Sequence, residues 1–232
     1  MSNKPAEETA GAKDPVSEKP KKGTVRELLE ALVIAGLLAL FIRTFFVQAF
    51  KIPSGSMKET LLIGDHILVT KFSYGVHVPN EIIGTDIRLF SDYVFFQDVP
   101  ERFDVIVFKF PMDESKDYIK RVIGLPGEII EVRMQDVYIN GKKIDDIHAN
   151  HTQAPDNIEP RDNFGPIRIP EGHVFVMGDN RENSQDSRFW GFLDIRKIRG
   201  KAQRIYWSWK SGLSGGFLDG EVRWGRIFDA IE

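Results

Sequence analysis

The chain contains no cysteine. Disulfides, thiolate metal sites and a cysteine nucleophile are therefore excluded. A cysteine-free chain suits an oxidising compartment. There is also no surplus of positive charge. Lys and Arg number 31 against 34 Asp and Glu, a net charge of -3, which argues against a general nucleic-acid binder. No repeat of 20–50 residues is evident, and no useful helical period follows residue 60. Histidine is scarce. His66, His77, His148, His151 and His173 are the five present, and none has a recognisable triad setting.

What is present is ordinary in bulk. The 232 residues are 42% hydrophobic and 28% charged, enough for one large domain or two small ones. Residues 1–24 are polar and Pro-containing. They cannot bury enough surface to offset chain entropy, so a disordered tail is expected. An apolar stretch follows, VRELLEALVIAGLLALFIRTFFVQAF, residues 25–50. Its uninterrupted core runs only from Ala31 to Ile42, but extension to Phe50 reaches membrane-spanning length, with Glu30 and Arg43 near the interfaces. Lys13, Lys19, Lys21, Lys22 and Arg26 lie in the 15 residues before Glu27, and only Lys51 and Lys58 in the 15 after Phe50. That asymmetry places the N-terminus in the cytoplasm and the remainder outside. Val47-Gln48-Ala49 offers two alternatives to this anchor reading: a cleaved signal segment, or a soluble buried helix.

From residue 51 to 232 the pattern is strands: HILVTKF, DVIVFKF, YIKRVIGL, EIIEVRM, DVYI, HVFVMG and RIYWSW. Short β-branched or aromatic runs without helical partners predict a mostly β domain of coiled antiparallel sheets. Asn140-Gly141 predicts a two-residue hairpin. Two stretches look inserted: residues 75–101, rich in aromatics, and residues 145–167, polar and expected to lie on the surface.

Three stretches carry candidate chemistry. In FKIPSGSM, residues 50–57, a flexible Ser-Gly-Ser follows the apolar run. A serine becomes a nucleophile only when a base takes its proton. In DYIKRVIGLPGE, residues 117–128, Lys120 is flanked by Tyr118, Ile119, Val122 and Ile123. Burial there would favour the neutral amine a base must be, although a lysine on a strand more often faces solvent. GDNRENSQDSRFWGF, residues 178–192, concentrates Asp179, Arg181, Asp186 and Arg188 among Asn and Ser. Its composition is that of a site scaffold rather than a plain linker. Two decoys fail. Gly212-Leu213-Ser214-Gly215-Gly216 lacks the helix and later histidine of a hydrolase elbow. His148 and His151 lie in a polar loop rather than on a helix face, so no metal site is expected.

In this order after an apolar run, the three stretches resemble the type I signal peptidases. These are membrane-anchored bacterial serine proteases that remove signal peptides from exported proteins. The resemblance implies Ser56 as nucleophile and Lys120 as general base. It implies Ser54 with the Ser56 amide at the oxyanion, and Ser184 orienting the lysine. It implies structural roles for Arg121 and for an Asp186–Arg188 pair. Phe50, Ile52 and Ile119 would line pockets for small residues at -1 and -3 of the substrate. The partners it implies are exported preproteins and membrane lipid, with no metal or organic cofactor. Glu59 stands where the family usually has Pro. Arg102-Phe103-Asp104 lacks the family's central Gly. The rivals are a specialised pilus-processing Ser-Lys peptidase, a self-cleaving repressor domain and a catalytically inactive anchored scaffold.

Overall fold

The computed structural model describes residues 24–77, 94–156, 158–212 and 219–232. The chain divides into two compact units, Met1–Ala39 and Leu40–Glu232. Helix α1 spans Thr24–Phe45, with Glu27 in its first turn and Arg43 in its last, matching the signs of the helix dipole. Leu28, Leu29, Leu32, Val33, Ile34, Leu37 and Leu38 are all exposed along it.

The expected 25–50 helix is shorter than the sequence reading made it. Strand β1, Val47–Lys51, takes its last residues and pairs with β2, Asp65–Thr70, placing Phe50 opposite Ile67. The apolar side chains of residues 47–50 serve a sheet rather than a helix. Ala49, the candidate cleavage position, is paired with Leu68. Arg26, Glu27, Glu30 and Arg43 all fall within α1. Among the described residues, no helix is long and apolar enough to cross a membrane.

The remaining strands are β3 (Val76–His77), β4 (Val94–Phe95), β5 (Val105–Phe110), β6 (Asp113–Gly124), β7 (Ile129–Arg133), β8 (Asp136–Ile139) and β9 (Lys142–Lys143). After these come β10 (Phe164–Arg168), β11 (His173–Met177), β12 (Leu193–Asp194), β13 (Ile198–Lys210) and β14 (Glu221–Val222). A single turn of helix, α2, spans Ser187–Trp190. The main sheet runs β1-β2-β13-β5-β6-β11-β12, with β14 added to β13. A smaller sheet runs β10-β7-β8-β9, and β3 pairs with β4. The pairings are antiparallel, as expected from the strand-rich, helix-poor pattern. The Asn140-Gly141 hairpin forms between β8 and β9, both residues at positive φ (51° and 79°). That is the conformation a type I′ turn demands.

β5 lies between β13 and β6, and Val105 through Lys109 are all buried. A strand covered on both faces reads as a continuous apolar run, and Val105 to Phe108 do; Lys109 interrupts it. One core cluster holds Ile52, Met57, Leu61, Ile67 and Ile119 with Ile205, and Phe50 packs against it. Each fully buried aliphatic side chain there contributes about 1.5–3 kcal/mol. The floor of the Ser-Gly-Ser loop is thus fixed by ordinary hydrophobic packing.

The two expected insertions fare differently. Of residues 75–101, only the β3–β4 stem and the exit are described; Ile82, Ile83, Phe90 and Tyr93 lie outside the described residues. Phe95 and Phe96 are exposed. Residues 145–167 are more than a surface excursion. Asn150 bridges to Asn180, and Asp162 is fully buried, accepting from the N–H groups of Asp156 and Ile158. The rest of the described segment is exposed or half-buried, as a surface position requires, and its partners are themselves polar. Ser214 falls outside the described residues.

Candidate active site

The three candidate stretches converge because β6 pairs with both β5 and β11. Ile106 opposes Lys120, Val105 opposes Arg121 on one side, and Met177 opposes Arg121 on the other. The chain leaves β11 directly into Gly178-Asp179-Asn180. The third stretch therefore starts beside the second.

Ser56 opens a turn in which the Leu61 N–H donates to the Met57 carbonyl (2.7 Å). Met57 and Leu61 are fully buried, so the turn is bolted to the core immediately after the serine. Lys120 Nζ lies 2.8 Å from Ser56 Oγ and donates to the Ile119 carbonyl at 2.9 Å. Lys120 is 3% exposed and Ser56 8%. The ammonium also sits 5.4 Å from the Tyr118 ring. Burial, the largest influence, pulls the Lys120 pKa from its ordinary 10.5 down to about 8; Asp186 and Asp179 oppose the shift, and Arg188 assists it.

Arg121 is fully buried and makes a two-pronged pair with Asp179: Nε to Oδ1 and Nη2 to Oδ2, both 2.8 Å. Its third nitrogen donates to the Phe103 carbonyl (2.7 Å). Thr60 Oγ1 donates to Asp179 Oδ2 at 2.6 Å. A buried charge pair survives only when its remaining lone pairs and protons are satisfied, and here they are. Phe103 holds φ = 73°. The position that lacks the family's glycine still has the left-handed backbone a glycine adopts readily.

Asp186 and Arg188 form the second buried pair, with Nε to Oδ1 at 2.8 Å and Nη2 to Oδ2 at 2.9 Å. Burial alone would push the Asp186 carboxyl up. The Arg188 guanidinium and the Gly178 N–H outweigh it and hold the carboxyl below its usual range. Arg188 also donates to the carbonyls of Arg161 and Arg181. Arg181 pairs with Asp146, and Glu182 accepts from Thr152 and contacts His151 Nδ1 at 2.9 Å. The 145–167 segment is thereby lashed to the third stretch. His148 packs its ring 5.7 Å from Phe103. Neither histidine belongs to a cluster that could hold a metal ion among the described residues.

Ser54 is exposed on the loop and Ser184 is buried. Ser184 Oγ lies near enough to Asp186 to help lower that carboxyl, but no hydrogen bond joins it to Lys120 among the described residues. The amine is held by Ser56 and the Ile119 carbonyl instead. Ile52 and Ile119 belong to one core cluster, and Phe50 packs against it.

Three residues were passed over by sequence reading. The Asn180 N–H donates to the Ser56 carbonyl (3.1 Å), and Asn180 Nδ2 donates to the Gly55 carbonyl (3.0 Å). Thr60 binds Asp179 across 119 residues of chain. A β-carbon at Gly178 would stand 2.5 Å from the Ser56 carbonyl oxygen and would collide with Ser184. Their neighbours in sequence give no hint of these partners, although Asn180 and Gly178 lie in the stretch that composition singled out.

The family model for "Signal peptidase, peptidase S26" matches residues 25–207. A probable signal peptidase I-2 of Synechocystis is 37% identical, over 82% of this chain and 77% of its own. Signal peptidase I of Pseudomonas aeruginosa is 36% identical, over 74% of this chain and 69% of its own. That of Rickettsia typhi is 35% identical, over 81% and 82%. With a family match across most of its length and relatives covered over more than two thirds, this chain belongs to the signal peptidases, serine endopeptidases that cleave signal peptides from exported preproteins.

Proposed function

We propose that Ser56 and Lys120 form the catalytic dyad of this peptidase. The observation that carries the reading is the 2.8 Å contact between a buried serine hydroxyl and a buried lysine amine. With the amine neutral, its lone pair accepts the Ser56 proton as Oγ attacks the scissile carbonyl carbon. The Ser56 N–H and the Ser54 hydroxyl stabilise the resulting oxyanion. Collapse expels the new amino terminus, which takes the proton back from Lys120, and leaves the signal peptide esterified to Ser56. Water then attacks the ester as Lys120 accepts its proton; the acyl–Oγ bond breaks, Lys120 returns the proton to Ser56 Oγ, and the peptide leaves with a free carboxyl group. Ser184 steadies the lysine in this scheme; the family resemblance, not a bond, supports that role. Arg121–Asp179 and Asp186–Arg188 hold the scaffold.

Specificity follows from the packed floor. Ile52 and Ile119 are almost fully buried beside Phe50, and filling such a site with a large side chain means overpacking it. Small residues are therefore required at -1, and small or aliphatic ones at -3. Mass spectrometry of a preprotein incubated with the enzyme should show one cut after the small -1 residue. It should show none with Ser56→Ala, and none when -1 is Phe. A Ser56→Ala variant that still cuts overturns the dyad; efficient cleavage after Phe overturns the pocket.

Attachment to the bacterial inner membrane through α1, with the β domain outside the cytoplasm, completes the proposal. The exposed leucines of α1 support it, since so many apolar side chains need a cover. The charge excess before the helix supports the orientation. Phe95 and Phe96, both exposed, are assigned to contact with lipid. Alkaline carbonate washing should leave the full chain in the membrane pellet. Its release into the supernatant would refute anchoring.

A further inference from the structure

The family match ends at residue 207, yet the segment beyond it reaches the loop that carries Ser56. Strand β14 pairs with the end of β13, with Trp209 opposite Val222. The chain then runs on alongside β13: the Phe228 N–H donates to the Ile205 carbonyl, and the Ile205 N–H to the Asp229 carbonyl. Ile231 closes the same core cluster that contains Ile52, Met57 and Leu61. From this fixed frame two arginines point at residues 60–65. Arg226 Nη2 donates to the Thr60 carbonyl (2.8 Å) and to Asp65 Oδ2 (2.7 Å). Arg223 Nη2 donates to the carbonyls of Ile63 (2.6 Å) and Trp209 (2.8 Å).

Asp65 is fully buried. Besides Arg226 it accepts from Ser208 Oγ (2.6 Å) and from the Leu62 N–H (2.8 Å). Burial pushes its carboxyl up, but Arg226, Ser208 and the Leu62 amide together hold it below the usual range. It is therefore a firm anionic anchor for Arg226. Thr60 stands between two networks. Its carbonyl accepts a hydrogen bond from Arg226, and its hydroxyl donates to Asp179, the partner of Arg121 beside Lys120. It lies within the turn after Ser56 that the Leu61 N–H closes on the Met57 carbonyl.

We propose that Arg226 is a positioning residue for the Ser56–Lys120 dyad, acting through Thr60 and Asp65, so that the C-terminal segment is a working part of the active site. The inference rests on the dyad reading above. Its chemistry is geometric. The guanidinium grips a backbone carbonyl four residues after the nucleophile and a buried carboxylate nine residues after it. Loss of that grip lets the turn drift from Lys120 and admits water to the amine. Displacement of a nucleophile by about 1 Å lowers turnover by up to about a hundredfold. Hydrated Lys120, still facing Asp179, Asp186 and Arg188, moves back toward its ordinary basicity.

The test uses the full chain in detergent with a fluorogenic signal-peptide substrate. Arg226→Gln should lower kcat by about tenfold to a hundredfold, with KM changed less than about twofold. The acid limb of its pH profile should move upward. Arg226→Lys, which keeps a donor but not the fork, should recover part of both. Thr60→Val removes the hydroxyl, which donates to Asp179 and accepts a long bond from Arg121 Nη2, while leaving the carbonyl that Arg226 binds, and should shift the same limb in the same direction. If Arg226→Gln lowers Tm while kcat and the acid limb of the folded enzyme stay at wild type, the residue is merely structural and the proposal falls. Should Arg226→Gln fail to fold, Thr60→Val decides alone, and a wild-type profile in that variant overturns the proposal. Lys120→Ala is assayed alongside; turnover in that variant would sink the dyad reading instead.

Discussion

Lys120→Arg is expected to lose turnover at every pH the fold survives, by roughly 10²–10⁴-fold, with circular dichroism unchanged. A guanidinium does not give up its proton in a protein, so it cannot accept one from Ser56. The wild type should show an acid limb centred near the Lys120 pKa of about 8, because only the neutral amine is a base. The same shift bears on stability. The unfolded lysine holds its proton up to about 10.5, and the folded one only up to about 8. Between those values the unfolded state binds more protons, so stability rises with pH through this window and is lost again as pH falls back through it. Below about 8 both states are protonated and the contribution is flat. Calorimetry of the wild type against Lys120→Met should reveal this slope in one and not the other. Near-wild-type turnover in Lys120→Arg would mean that another residue is the base.

The second large effect concerns the buried pair. Arg121→Met should destabilise the fold by about 3–5 kcal/mol, since it strands the Asp179 carboxylate with only Thr60 as donor. For a chain of this size that lowers Tm by roughly 10 °C or more. It should also slow turnover, because Arg121 anchors the Phe103 carbonyl and, through Asp179, the turn that follows Ser56. Adding Asp179→Leu to Arg121→Met should restore much of the stability, as removing both charges leaves nothing unpaired. A Tm within a degree or so of wild type in Arg121→Met would show that the pair bears little of the fold's stability.

The proposed dyad residues were legible as candidates because their chemistry is local. Ser-Gly-Ser after an apolar run and a lysine among aliphatics each read as candidates, and their order matched a known family. The strand pattern was legible for the same reason: VIVFKF and HVFVM state their burial in four or five letters. The end of α1 was not. Val47-Gln48-Ala49-Phe50 continues an apolar run, and only its pairing with β2, decided by residues further along, makes it a strand. The role of residues 145–167 was hidden because charged and amide side chains look alike whether they meet solvent or one another. Thr60, Asn180 and Arg226 were invisible in a stronger sense. Each acts through a partner more than a hundred residues away, and a threonine hydroxyl has no spacing signature.

Glu59 has φ = 84°, three residues after the nucleophile. A proline ring fixes φ near −65°, so the residue usual at this place in the family cannot enter this backbone. Glu59→Pro should therefore force the turn after Ser56 into another conformation rather than slot into the present one.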